Sequence, residues 1–101
     1  MENLKFFINY LSNIDLSANP CKTANDMYNE LETVDVDLDE IDLQKSKIVP
    51  NDVKIKIIDL IEFYWEHADD CINHYSDNET CEFLKQLKDR ANEVYSFAIN
   101  L

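Results

Sequence analysis

Apolar residues recur every three or four positions along most of this chain. In "ENLKFFINYLSNI", Leu4, Phe7, Ile8 and Leu11 fall at i, i+3, i+4 and i+7, the core-facing stripe of a helix. "SANP" follows, with Asn19 placed to cap a second helix and Pro20 suited to its first position. Cys21, Ala24, Met27, Tyr28 and Leu31 continue at helical spacing, so this second helix is predicted from about Pro20 to Glu32. After Pro50 the pattern is strongest. Val53, Ile57, Leu60, Ile61, Tyr64, Ala68, Cys71 and Tyr75 share one side of a third helix, and Ile58, Trp65 and Ile72 widen it. So wide an apolar arc predicts a central helix with more than one neighbour. "SDNE" then reads as a capping box, Ser76 with Glu79, opening a fourth helix over Asp77 to Ala98. Its core-facing set is Leu84, Leu87, Ala91, Val94, Tyr95 and Ala98. The expected fold is an all-α bundle of about four helices in a single domain, residues 1 to 101, with the last two helices antiparallel.

Between the second and third helices the period changes. "TVDVDLDEIDLQ" alternates aliphatic residues with Asp35, Asp37, Asp39, Glu40 and Asp42. A calcium loop fits its first three ligand positions only. Position six should be Gly and is Glu40, and position twelve should be Glu and is Ser46. A strand would have no second strand to pair with. The expectation is an irregular or short helical segment whose aliphatics rest on the bundle while its acids face water.

Composition sharpens this. The 101 residues include 21 acids and 9 bases, a formal net charge of −12. That charge opposes direct binding to nucleic-acid phosphates and to anionic membranes, and favours a basic partner reached by salt-sensitive association. There is no glycine, which excludes glycine-rich phosphate loops and glycine-dependent hairpins. Three cysteines without a pairwise motif, no secretory signal pattern and no apolar run of spanning length suggest reduced thiols in a cytoplasmic protein.

Acids on the third helix form the most informative feature. Asp59, Glu62, Glu66, Asp69 and Asp70 lie on one face, and no Lys or Arg occurs between Lys56 and Lys85. The fourth helix instead mixes signs, as solvated faces usually do. Plain solubility is the bland explanation of such a stripe. The sharper one is a surface for a basic partner, with Phe63 on its flank as an aromatic anchor and the 35–42 acids as its second half. His67, Cys71 and His74 share a side of the helix, but no second Cys/His pair completes a zinc set, and no metal or cofactor is expected. The acidic surroundings would not lower the Cys71 pKa for a Cys–His dyad, so no enzymatic activity is expected either.

In size, charge and helical layout the chain resembles the small acidic immunity proteins of bacteriocins and contact-dependent growth-inhibition systems. The resemblance implies a protein inhibitor that occupies a basic toxin domain, often a nuclease. It rests on the overall pattern, and no residue role transfers position by position. The alternatives are a phage-type DNA mimic that blocks a defence nuclease, and a helical adaptor or regulatory subunit docked through an apolar groove.

Overall fold

The computed structural model describes residues 2–34, 49–74 and 76–98. Its described residues form an all-α fold of four helices: α1 (Glu2–Ser12), α2 (Pro20–Val34), α3 (Asn51–Asn73) and α4 (Asp77–Ala98). The expected acidic segment at 35–42 and the expected stripe residue Tyr75 lie outside the described residues. Helix α2 runs two residues further than its periodicity predicts.

With no glycine available, side chains and ordinary backbone angles finish the helices. Helix α1 tightens at its end, Asn13 and Ile14 donating to the Tyr10 and Leu11 carbonyls. The Asn13 amide reaches back to the Asn9 carbonyl at 2.8 Å. Asp15 then accepts from the Ser17 amide at 2.9 Å and from its hydroxyl at 2.6 Å, a side-chain bond that closes the turn. Those two bonds hold the Asp15 carboxyl below its ordinary pKa. Asn19 caps α2 as expected, its side-chain oxygen 3.1 Å from the Lys22 amide. At the end of α3, His74 keeps φ at −128° and donates to the Asp70 carbonyl, while the Asn73 amide satisfies the Asp69 carbonyl.

The helical stripes bury as their spacing predicts. Leu4, Phe7, Ile8 and Leu11 of α1, Ala24 and Met27 of α2, and all seven described members of the α3 stripe are buried, whereas Cys21 and Tyr28 of α2 are half-buried and the Leu31 side chain lies outside the described residues. On α4 the predicted residues are buried except Tyr95, which is half-buried, and Thr80 and Phe83 join them. Thr80 is fully enclosed because its hydroxyl donates to the Cys71 carbonyl at 3.2 Å. Phe7 meets Tyr64 edge to face at 5.7 Å, linking α1 to α3 through rings.

The central helix is α4, not α3. Helix α4 packs most extensively, against all three others; α2 also touches all three but less closely, and α3 packs closely against α2 and α4. The inward stripe of α4 includes Thr80, Ala91 and Ala98, all fully buried, and small residues let neighbouring helices approach closely. The wide arc of α3 instead carries Trp65 at its edge, 57% exposed, with Ile58 and Ile72 half-buried beside it. Helices α3 and α4 are antiparallel, as expected: Cys71 pairs with Thr80, Phe63 with Phe83, and Asp59 with Arg90.

Leu87 lies at the middle of the α4 stripe with no exposure. Leu87→Ala is expected to lower unfolding stability by about 3 kcal/mol, from lost burial plus a cavity. Urea unfolding should show the midpoint falling with the slope unchanged. A loss under about 0.5 kcal/mol would contradict the central place given to α4.

Candidate functional site

The α3 surface that faces away from the core is acidic. Asp59, Glu62, Glu66, Asp69 and Asp70 are all exposed. Successive positions turn by about 100° around a helix, so these five fall within about a 100° arc. Ile55 shares that arc and is 67% exposed. Thus the structure places one half of the sequence-predicted site together. The other half, Asp35, Asp37, Asp39, Glu40 and Asp42, lies outside the described residues.

One member of the stripe is neutralised from across the bundle. Arg90 of α4 donates through Nη1 to Asp59 Oδ2. The same guanidinium lies over Phe63, 4.0 Å from the ring centroid. This corrects the expectation of a wholly unneutralised stripe. Among the described residues, no Lys or Arg pairs with Glu62, Glu66, Asp69 or Asp70; Glu66 has only its neighbour His67, at 3.9 Å. Glu62 and Glu66 stand one turn apart, a like-charge spacing that costs a helix a few tenths of a kcal/mol. The charge imbalance therefore resides in the C-terminal two-thirds of the stripe.

Phe63 is not a free anchor. It is half-buried, stacked on Phe83 at 5.6 Å and tilted against His67 at 4.8 Å. Its exposed edge borders a groove of about 420 Å³ between α3 and α4. His67 and Cys71 line the α3 side, and Glu79, Glu82, Phe83 and Gln86 the α4 side. Sequence reasoning missed this groove. A signal existed, because Phe83 stands four residues before Leu87, at helical spacing beside the predicted α4 stripe. A second groove of about 410 Å³ lies between α1 and α2, bordered by Phe6, Tyr10 and Ile14.

The thiols are free and subdued. Burial pushes Cys71 up to about 11, with Asp70 adding to the shift. Cys21 donates to Asp77 Oδ1 at 2.7 Å, and this bond to a carboxylate raises its pKa as well. Among the described residues no three His, Cys, Asp or Glu side chains gather as a metal site, and no helix is long and apolar enough to cross a membrane.

No protein-family model, curated protein or solved structure matches the chain significantly. The functional reading therefore rests on the chemistry of these surfaces.

Two measurements follow from this geometry. Arg90→Ala should cost about 1 kcal/mol, combining a partly exposed ion pair with a cation–π contact. A double-mutant cycle with Asp59→Asn should show coupling, and strict additivity would deny the pair any energetic role. Iodoacetamide at pH 8 should label half-buried Cys81 before Cys71, with Cys71 reacting only on unfolding. Because folding raises the Cys71 pKa, its contribution to stability is present below the unfolded thiol value near 8.5 and is lost as pH rises through about 11. The fall in thermal midpoint over that window should be shallower in Cys71→Ala.

Proposed function

We propose that this protein is a non-catalytic acidic inhibitor that binds and neutralises a basic partner, acting as an immunity protein toward a nuclease-type toxin domain. The observation that carries this reading is the row Glu62, Glu66, Asp69 and Asp70. All four are exposed, and no described Lys or Arg pairs with them. Adjacent like charges destabilise the free helix slightly and are relieved by a partner that supplies cations. A nuclease domain presents Lys and Arg that hold phosphates, and carboxylates fixed on a rigid helix can take their place. Supply of opposite charge at close range accelerates encounter and sets orientation. In this reading the partner is a protein rather than nucleic acid or membrane, and the complex forms in the cytoplasm.

A second reading, an adaptor docked through an apolar groove, is favoured by the α1–α2 groove and by Phe6 at its border, 47% exposed. Its binding would be weakened by Phe6→Ser and indifferent to salt. A DNA mimic requires phosphate-like regularity of the acids and has no comparable observation in its favour.

The test uses the product of the neighbouring gene, purified as a candidate toxin domain. The protein should suppress its activity, with an association rate that falls steeply as salt rises. Glu66→Lys should slow association at least tenfold at low salt, while raising the stability of the free protein by about 0.5 kcal/mol through a new Glu62–Lys pair. Opposite signs on binding and folding separate a recognition role from a structural one. Association indifferent to salt and to charge reversal at Glu62 and Glu66 would remove the inhibitor reading.

A further inference from the structure

We propose that the Trp65 edge of α3 is the docking line for a basic amphipathic helix of the partner. The inference rests on the reading of this protein as a binder of a basic protein, and specifies the apolar surface that the partner covers. Ile58, Trp65 and Ile72 recur every seven residues and so form one row along α3. Trp65 is 57% exposed at the middle of that row, while Ile58 and Ile72 are half-buried and packed against the core. On one side of Trp65 lie the buried Ile61 and Ala68, at i−4 and i+3. On the other side lie Glu62 and Asp69, at i−3 and i+4, both exposed. The indole therefore stands on the border between the core and the acidic row. It meets the adjacent Tyr64 edge to face at 5.2 Å, a contact that leaves its outer side in water. Exposed Ile55 heads the line of Glu62 and Asp69 at the same seven-residue spacing.

Charge decides what covers this line. No Lys or Arg follows Lys56 on α3, and no described cation pairs with Glu62 or Asp69. A second copy of this chain would bring its own carboxylates against these, and an anionic membrane would meet the same repulsion. A helix with an apolar seam bordered by Lys and Arg matches both parts of the surface. Its seam takes the Trp65 row out of water, and its flanking cations meet Glu62 and Asp69, as flanking charges choose partners in coiled coils. The row from Ile58 to Ile72 runs about 21 Å, which is about four turns of such a helix. Tryptophan is among the residues that most often carry binding energy at interfaces.

Trp65 is the sole tryptophan of the chain, so its fluorescence reports this surface alone. The test follows that signal while the full chain is titrated with a synthetic helix-forming peptide of about three heptads, with Leu along one face and Lys or Arg beside it. One control peptide has the same composition with its leucines spread around the helix, and another has Glu in place of the bases. The amphipathic basic peptide should shift the emission to shorter wavelength and protect Trp65 from acrylamide, saturably and less strongly as salt rises. Both controls should leave Trp65 open to acrylamide. By calorimetry, Trp65→Ala should weaken peptide binding about tenfold, and the double variant Glu62→Gln, Asp69→Asn about fivefold. Helical circular dichroism should be unchanged in both. Equal protection by the rearranged peptide would reduce the contact to charge alone and overturn the docking line. So would a free chain whose Trp65 is already shielded from acrylamide, as a monomer or as a dimer by sedimentation. The two proposals fail separately. If Trp65→Ala keeps full affinity for a toxin domain that Glu66→Lys loses, the docking line falls and the inhibitor reading stands. If the peptide covers Trp65 but no toxin domain is bound, the reverse holds.

Discussion

Close packing along one face of α4 is the constraint on which the rest of this bundle depends. Thr80, Leu84, Leu87, Ala91, Val94 and Ala98 are buried, and all three other helices lean on that helix. The small members of the stripe permit close approach, and the enclosed Thr80 hydroxyl ties α4 to the end of α3. The connection after α1 is held to the same helix, with Lys88 donating to the Ile14 carbonyl at 2.9 Å. Because α4 takes packing from all three other helices, α3 can leave a whole face to solvent. The acidic row is available to a partner for that reason.

Arg90 divides the α3–α4 surface into two electrostatic parts. Near Asp59 the charge is balanced and Phe63 is covered by a guanidinium. From Glu62 onward the acids have no cation among the described residues. A single α4 residue thus sets where the strong negative field begins. It also packs on the Phe63 ring, which is held between that guanidinium and Phe83.

The helices and their buried stripes were legible in the sequence because the 3.6-residue period is a local property. Asn19 was legible as a cap for the same reason, since a cap acts within its own turn. The identity of the central helix was not. Period reveals which side of a helix is buried, while the neighbours that cover it are set by the arrangement of the whole bundle. Trp65 gave α3 the look of a centre and is instead more than half exposed. The Arg90–Asp59 pair spans 31 positions and depends on the register of two helices. It could have been anticipated. Asp59 stands 14 residues before the end of α3 and Arg90 13 residues after the start of α4, so a short antiparallel turn brings them level. The acids of the row were found from spacing alone, and the groove was missed because it belongs to neither helix by itself.

The helix ends made without glycine bear on the chain before it folds. A glycine hinge gives the unfolded polymer extra freedom that must be surrendered on ordering. Here Asn13, Asp15, Asn73 and His74 occupy the places where such hinges usually stand. The disordered chain is therefore stiffer at its future corners, with fewer conformers to lose. Part of the stability of this small bundle comes from what its unfolded state lacks, and no contact in the folded molecule displays it.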